Sequence, residues 1–224
     1  MRVEFHCHTY HSIDSLMLPH QILDTIDRKE IDRIAITDHN TIEGALELAD
    51  LAPDRIIVGE EVKTTEGEIL GYFVQEAVPK NLPALEAIQA LRAQGAFISI
   101  PHPFDRERSN HWTEECLQEI LHLIDAIEVF NSRTLTSQPN LDAKAFAARH
   151  GLLGTAGSDA HTPREIGRTI LTCPPFEDAE TMRQAIPQGE IHAKKSRFWV
   201  HFSSARAMYK KTRGWKPPYS PSRE

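Results

Sequence analysis

Residues 2–8 read Arg2-Val3-Glu4-Phe5-His6-Cys7-His8: an apolar, β-rich run that ends in two imidazoles. On a strand, side chains alternate between faces, so His6 and His8 share one face and Cys7 takes the other. Two imidazoles on one face can reach a single metal ion, although two structural histidines at that spacing are also common. The chain returns to this arrangement four more times. Asp38-His39, Glu60-Glu61, His102 between Pro101 and Pro103, and Asp159-Ala160-His161 each close an apolar run.

The runs that carry these residues read as strands at Arg2–His6, Arg33–Thr37, Arg55–Gly59, Ile69–Val74, Ala96–Ile100, Ala126–Phe130, Leu153–Ala156 and Arg168–Thr172. Amphipathic stretches between them read as helices at Pro19–Lys29, Ile42–Leu51, Leu82–Gln94, Thr113–Ile124, Pro139–His150 and Asp178–Ile186. Pro19 and Pro139 suit first helical turns, and Gly95 and Gly151 suit helix C-termini. Strand and helix in alternation argue for an α/β fold with a mostly parallel sheet. An open doubly wound sheet and a closed barrel both satisfy that pattern. No Gly-rich phosphate loop follows the first strand, and polar residues gather after nearly every strand, which favours the barrel. Such barrels usually run to about 250 residues; at 224 residues a small or incomplete one is expected. Thr64-Thr65-Glu66-Gly67 reads as the turn of a hairpin joining the third run to the fourth.

Residues 1–202 are expected to form the folded domain. In 203–224 the composition shifts: Lys210, Lys211, Arg213, Lys216 and Arg223 face only Glu224, with Pro217, Pro218 and Pro221 near the end. This stretch reads as an extended basic tail. The whole chain carries a net charge of −7, which argues against a general nucleic-acid coat. No apolar run approaches the roughly 18 residues a membrane span needs. Cys7, Cys116 and Cys173 form no spacing pattern. The expectation is a cytoplasmic protein, with no membrane and no obligate protein partner. Of its 12 histidines, His20, His111, His122, His150, His192 and His201 read as incidental surface residues.

The remaining histidines and their neighbouring carboxylates carry the chemistry. Asp14, in the loop His11-Ser12-Ile13-Asp14-Ser15, is either a further ligand or a turn residue. Asp38 suits a helix N-cap beside His39. Glu60 and Glu61 cannot both face inward on a regular strand; Glu61 is the inward choice and Glu60 its solvated neighbour. The flanking prolines fix the backbone that aims His102. Five independent strand ends would each need an accidental ligand if none bound metal. Mixed imidazole and carboxylate donors suit Zn, Mn or Fe. At least seven candidate ligands exceed one ion's needs, so two or three divalent ions are expected, with Glu61 as a natural bridge.

Together His6-x-His8, the Ser-Asp loop, Thr37-Asp38-His39, Gly59-Glu60-Glu61-Val62, His102-Pro103 and Ser158-Asp159-Ala160-His161 resemble the PHP (polymerase and histidinol phosphatase) family. The likeness spans residues 2 to about 172, in the family's order. It implies a distorted seven-stranded (β/α) TIM-like barrel, a trinuclear metal centre and hydrolysis of phosphate esters. His6, His8, Glu61 and Asp159 resemble the first-metal ligands, and Glu61 would bridge to a second metal held by His102. Asp14, His39 and His161 resemble the third-metal set. Where many members have another second-metal histidine, this chain has none, and Glu68 is the positional substitute.

Asn131-Ser132-Arg133 follows a strand and faces the same rim, so Arg133 is a candidate phosphate clamp. Lys63 is a second substrate-binding candidate, and Arg106 and Arg108 could meet a longer substrate. Activated water would attack phosphorus, and the third metal, or a nearby histidine such as His11 or His161, would stabilise the leaving alcohol. The expected substrate is a small phosphomonoester, a nucleotide or an oligonucleotide. A metal-dependent amidohydrolase and a metal-stabilised scaffold are the competing readings.

Overall fold

The computed structural model describes residues 1–108 and 110–218. Strand β1 (Arg2–Cys7) leads to helix α1 (Pro19–Arg28), β2 (Arg33–Ile36) leads to α2 (Glu43–Leu51), and β3 (Ile56–Lys63) turns directly into β4 (Glu68–Tyr72). Next come α3 (Ala84–Ala93), β5 (Phe97–Ile100), α4 (Glu114–Ile120), β6 (Ala126–Asn131), α5 (Gln138–His150) and β7 (Leu153–Gly157). β8 (Thr169–Thr172), α6 (Ala179–Ala185), β9 (Glu190–Ala193) and α7 (Val200–Thr212) follow. Pro19 opens α1, where its missing N–H costs nothing. Gly151, at φ 66°, closes α5 in the left-handed conformation.

Among the described residues the sheet has nine strands in the order β7-β6-β5-β4-β3-β2-β1-β8-β9, so β8 and β9 extend it beyond β1. β1, β2 and β3 run parallel, as do β5, β6 and β7; β4 lies antiparallel between the two sets. The C-terminal ends of these six strands therefore open on one rim, and β4 reaches that rim with its first residue, Glu68. The sheet curls into a nearly closed barrel. Just past the ends of β1 and β7, the His8 N–H donates to the Ala160 carbonyl at 2.9 Å and the Ala160 N–H donates to the His6 carbonyl at 3.1 Å.

Below the rim the barrel interior is apolar. Phe5, Ile57, Leu70, Tyr72, Phe97 and Ala126 meet Phe176 and Met182, which close that end with α6. The Phe5 and Tyr72 rings meet edge-on at 5.6 Å, a favoured aromatic geometry. Helices α1 and α2 cover one outer flank through Ile22, Ile26 and Leu48. Helices α3, α4 and α5 cover the other through Ile88, Leu91, Leu117 and Phe146. Burying each such side chain contributes about 1.5–3 kcal/mol.

Two β-bulges break the simple alternation of faces. The β1–β2 register shifts between Glu4 and Cys7, and the β6–β7 register shifts between Glu128 and Phe130. A bulge inserts one residue and re-aims the side chains beyond it. Phe5 can therefore join the inner apolar layer while its neighbour His6 also faces the interior, and Cys7 packs with the α1–α2 flank. In β6, Glu128 and Asn131 come to share the interior in the same way, joined by a 2.9 Å hydrogen bond.

Two elements depart from the sequence reading. The expected extended tail is instead helix α7 as far as Thr212, so the boundary drawn after residue 202 falls inside a helix. Its Lys211 ammonium reaches the carbonyls of Tyr10 and Ser12, contacts that fix it to the body. Strand β9 was also missed; it pairs antiparallel with β8. Pro221, Arg223 and Glu224 of the expected tail lie outside the described residues. Five of the six histidines read as surface residues are exposed, whereas His150 is half-buried with its ring 4.3 Å from Phe146.

Candidate metal centre

Every ligand candidate comes from the rim. His6 and His8 arrive from β1, and Glu61 from β3 on the same inward parity as Ile57. His102 follows β5, and Asp159 and His161 follow β7. His102 and Asp159 hold positive backbone φ angles of 31° and 53°, uncommon for non-glycine residues and typical of functional sites. Gly157 makes the close packing feasible: a Cβ there would lie 2.3 Å from His6 Cβ and 2.6 Å from Glu128 Oε1.

Glu61 lies at the centre. Its Oε1 is 3.0 Å from His102 Nε2. Its Oε2 is 3.0 Å from His39 Nδ1 and 3.4 Å from both His6 Nε2 and His8 Nε2. Asp159 Oδ1 lies 3.3 Å from His8 Nε2 and 3.7 Å from His6 Nε2. Asp14 Oδ2 lies 2.8 Å from His161 Nε2 and 3.7 Å from His39 Nε2. Glu68 Oε2 approaches His102 Nε2 at 3.8 Å. Four overlapping groups each bring three donor atoms within metal-binding reach: His8/His39/His161, His6/His8/Glu61, His6/His102/Asp159 and His39/Glu61/Glu68.

Outer partners fix the orientation of these rings. His6 Nδ1 meets Glu128 Oε1 at 3.0 Å, which turns Nε2 toward Glu61. His8 Nδ1 meets the Ser12 hydroxyl at 3.1 Å, and Ser12 donates to Asp38 Oδ1 at 2.6 Å. Asp38 also accepts from the Thr9 N–H and hydroxyl, so it braces the loop and does not line the site. His161 Nδ1 lies 2.8 Å from the Asp159 carbonyl and 2.6 Å from Arg133 Nη1. Those contacts ask for opposite tautomers; a ligand on Nε2 selects the one that donates to the carbonyl. Such supporting hydrogen bonds orient metal-binding imidazoles generally.

Burial and charge act together here. Burial, helped by His161 and His39, lowers the His8 pKa to about 3, so the ring is neutral, as a metal ligand must be. Burial opposes protonation of His6 too, but Asp159, Glu128 and Glu61 outweigh it and raise its pKa well above the usual value. His39 is raised in the same sense, with Glu61 and Asp14 outweighing burial. Burial works against ionised Asp159, yet Arg108 and His6 hold its pKa well below the carboxylate range. This concentrated negative potential favours cations.

The donor set fits divalent metal. His8 Nε2, Asp14 Oδ1, Asp159 Oδ1 and His161 Nε2 are buried without a hydrogen-bond partner. Buried polar atoms are ordinarily satisfied, and a cation would satisfy all four.

The structure brings together all nine ligand candidates: His6, His8, Asp14, His39, Glu61, Glu68, His102, Asp159 and His161. Glu60 corrects the sequence reading. It is buried on the outer face of β3, accepts the Val78 N–H at 2.8 Å, and is not solvated. Burial raises its pKa to about 7. Arg133 lies behind His161, with Nη2 bonded to the Val200 carbonyl at 3.0 Å and the Ser204 hydroxyl at 2.9 Å. Lys63 is exposed on the inward parity of Glu61, and Arg106 is exposed. Arg108 enters the site and ion-pairs with Asp159. Sequence reasoning missed Glu128, Glu165 and Glu4. Glu165 Oε1 lies 3.4 Å from Arg133 Nε. Glu4 accepts from the Ser158 N–H and hydroxyl and from the Gly167 N–H. The inward acid of Glu128-Val129-Phe130-Asn131 was the one available signal.

Comparison with known proteins agrees with this geometry. Residues 137–191 match the family described as PHP-associated. The chain is 36% identical over 174 residues to the uncharacterized protein MJ0417 of Methanocaldococcus jannaschii, covering 76% of this chain and 70% of that protein. Among solved structures, a two-domain protein from Bacteroides vulgatus containing a predicted PHP-like metal-dependent phosphoesterase superposes with TM-score 0.72 at 19% identity, covering 92% of this chain and 69% of that one. An amidohydrolase from Chromobacterium violaceum gives TM-score 0.63 at 17% identity, covering 85% and 98%. The lesion-specific endonuclease PfuEndoQ from Pyrococcus furiosus gives 0.59 at 18%, covering 85% and 58%. At these identities the structural likeness is one of fold. With the ligand pattern of the rim and the PHP-associated match, the chain belongs to the PHP family.

Proposed function

We propose that the protein is a metal-dependent phosphoesterase that uses two or three divalent ions, Mn, Zn or Fe, in a seven-stranded barrel formed by β1–β7. The observation that carries this reading is Glu61, whose two oxygens face four imidazoles beside four unsatisfied buried donor atoms. His6, His8, Glu61 and Asp159 would hold one ion. Glu61, Glu68 and His102 would hold a second, and Asp14, His39 and His161 a third. Ions bound there supply Lewis-acid charge and acidify water.

The chain's own groups do the rest. Glu128 and Ser12 keep His6 and His8 oriented. Arg108, already at Asp159, offers guanidinium charge to the phosphoryl oxygens. The Asp159 carbonyl holds His161 in place, and Arg133 behind it meets the substrate only by releasing Val200 and Ser204. Lys63 stands at the mouth. A cleft of about 600 Å³ lined by His11, Ile13, His39, Asn40, Thr41 and Lys80 opens beside the site. We assign the leaving-group end to the ion that His161 would hold and to His11, whose Nε2 lies 3.3 Å from Glu47.

The test is hydrolysis of p-nitrophenyl phosphate and bis-p-nitrophenyl phosphate by metal-stripped protein reloaded with each metal, with Asp159→Ala as blank. Metal-dependent turnover absent from the blank is expected. Turnover of amides with none of either ester would overturn the reading.

A further inference from the structure

A cluster of exposed aromatic rings stands at the edge of this site. Phe198, Trp199 and Phe202 are 54%, 58% and 65% exposed. Their centroids lie 3.7 Å apart for Phe198–Trp199 and 6.3–6.4 Å for the pairs with Phe202. Large apolar groups gathered on a surface mark an interaction site more often than scattered single residues do.

Three observations indicate what the cluster would meet. First, it adjoins the candidate catalytic rim. The Val200 carbonyl, one residue past Trp199, accepts from Arg133, whose other terminal nitrogen lies 2.6 Å from His161 Nδ1. Second, the segment of sequence that carries it has one sign of charge: between Glu190 and Glu224 there are nine Lys and Arg residues and no Asp or Glu, in a chain of net charge −7. Third, α7 turns its inner face, with Ser204 and Ala207, to the body and leaves Phe202 and Arg206 on the outside. Exposed rings on a cation-rich segment make a surface on which unpaired bases stack while the backbone is neutralised.

We propose that Phe198, Trp199 and Phe202 form a stacking platform for the bases of single-stranded nucleic acid whose phosphate enters the neighbouring centre. This rests on the phosphoesterase reading and narrows its substrate class. Paired bases hide their faces, so a duplex is excluded. The adjoining basic residues add salt dependence, with a slope of about −0.7 per phosphate contacted for a single strand.

The test is fluorescence anisotropy on the full chain in EDTA, so that binding is read without turnover. The probes are a labelled short oligothymidylate, a duplex of the same length, and a strand of equal charge in which abasic sites replace the bases. The oligothymidylate should bind at low salt. The abasic strand should bind about tenfold more weakly or worse, as should oligothymidylate to the Trp199→Ala/Phe202→Ala variant, whose melting temperature should match wild type because both side chains are exposed. Equal affinity for the abasic strand, undiminished affinity in the variant, or no binding would each overturn the proposal. So would capture by phosphatidylserine vesicles with no oligonucleotide bound, which would assign the rings to a membrane surface. Base-dependent binding by a protein inactive with every metal would sink the hydrolytic reading and leave the platform standing.

Discussion

Ile57 and Glu61 lie four residues apart on β3 and face the same interior. Ile57 joins the apolar layer with Phe5, Tyr72 and Phe97, whereas Glu61 meets four imidazoles. The antiparallel neighbour β4 repeats the contrast in reverse, with Glu68 at the rim and Leu70 and Tyr72 below. One end of the barrel is held by burial of apolar surface. The other concentrates carboxylates and imidazoles, four of whose buried polar atoms have no hydrogen-bond partner. Stability and chemistry are thus separated along single strands, and substitutions at the two ends should fail differently.

The largest effect is expected at the rim. Glu61→Ala removes the carboxylate shared by four histidines and should lower kcat about 10³-fold or more, with the circular-dichroism spectrum unchanged. Its counterpart below, Phe5→Ala, should cost about 3–5 kcal/mol of stability, read by denaturant unfolding, while turnover of the folded fraction persists. A Phe5→Ala protein of wild-type stability, or one that is stable but inactive, would break the separation. Glu128→Gln tests the support behind the ligands. It keeps the shape but weakens the hold on His6 and the His102 N–H, and should reduce metal affinity or activity about 10–100-fold.

How much of this was legible in sequence follows from the same contrast. Most of the ligand candidates were readable because they are polar residues that end apolar runs, and of the adjacent Glu60 and Glu61 the one chosen as inward, Glu61, does face the interior. Glu128 was not readable as a partner of His6, because a bulge shifts the β6–β7 register beside it and alternation alone cannot locate a bulge. Glu60 was misjudged as solvated because the Val78 N–H that satisfies it comes from a distant loop. Helix α7 was hidden by its charge. Its docking rests on Arg133 and Lys211 reaching backbone carbonyls more than on an apolar stripe, and Ala207 is its sole buried residue.

The smallest expected effect lies far from the rim, at Asp125. Burial works against its charge, but hydrogen bonds from Arg183 and Arg92 outweigh it and lower its pKa. A carboxylate lowered in the folded state stabilises above its unfolded pKa of about 3.9, and that stabilisation is lost as pH falls through the folded value. Asp125→Asn should therefore melt below wild type at neutral pH, with the gap closing in acid. A gap that widens in acid would contradict the assignment.

The central claim is that the rim is a site for more than one ion, organised around Glu61. Elemental analysis of protein saturated with Mn or Zn and freed of excess metal tests it most directly. The account predicts two or three ions per wild-type chain and a clear fall in Glu61→Ala. One ion or fewer per wild-type chain, or equal content in the variant, would contradict it.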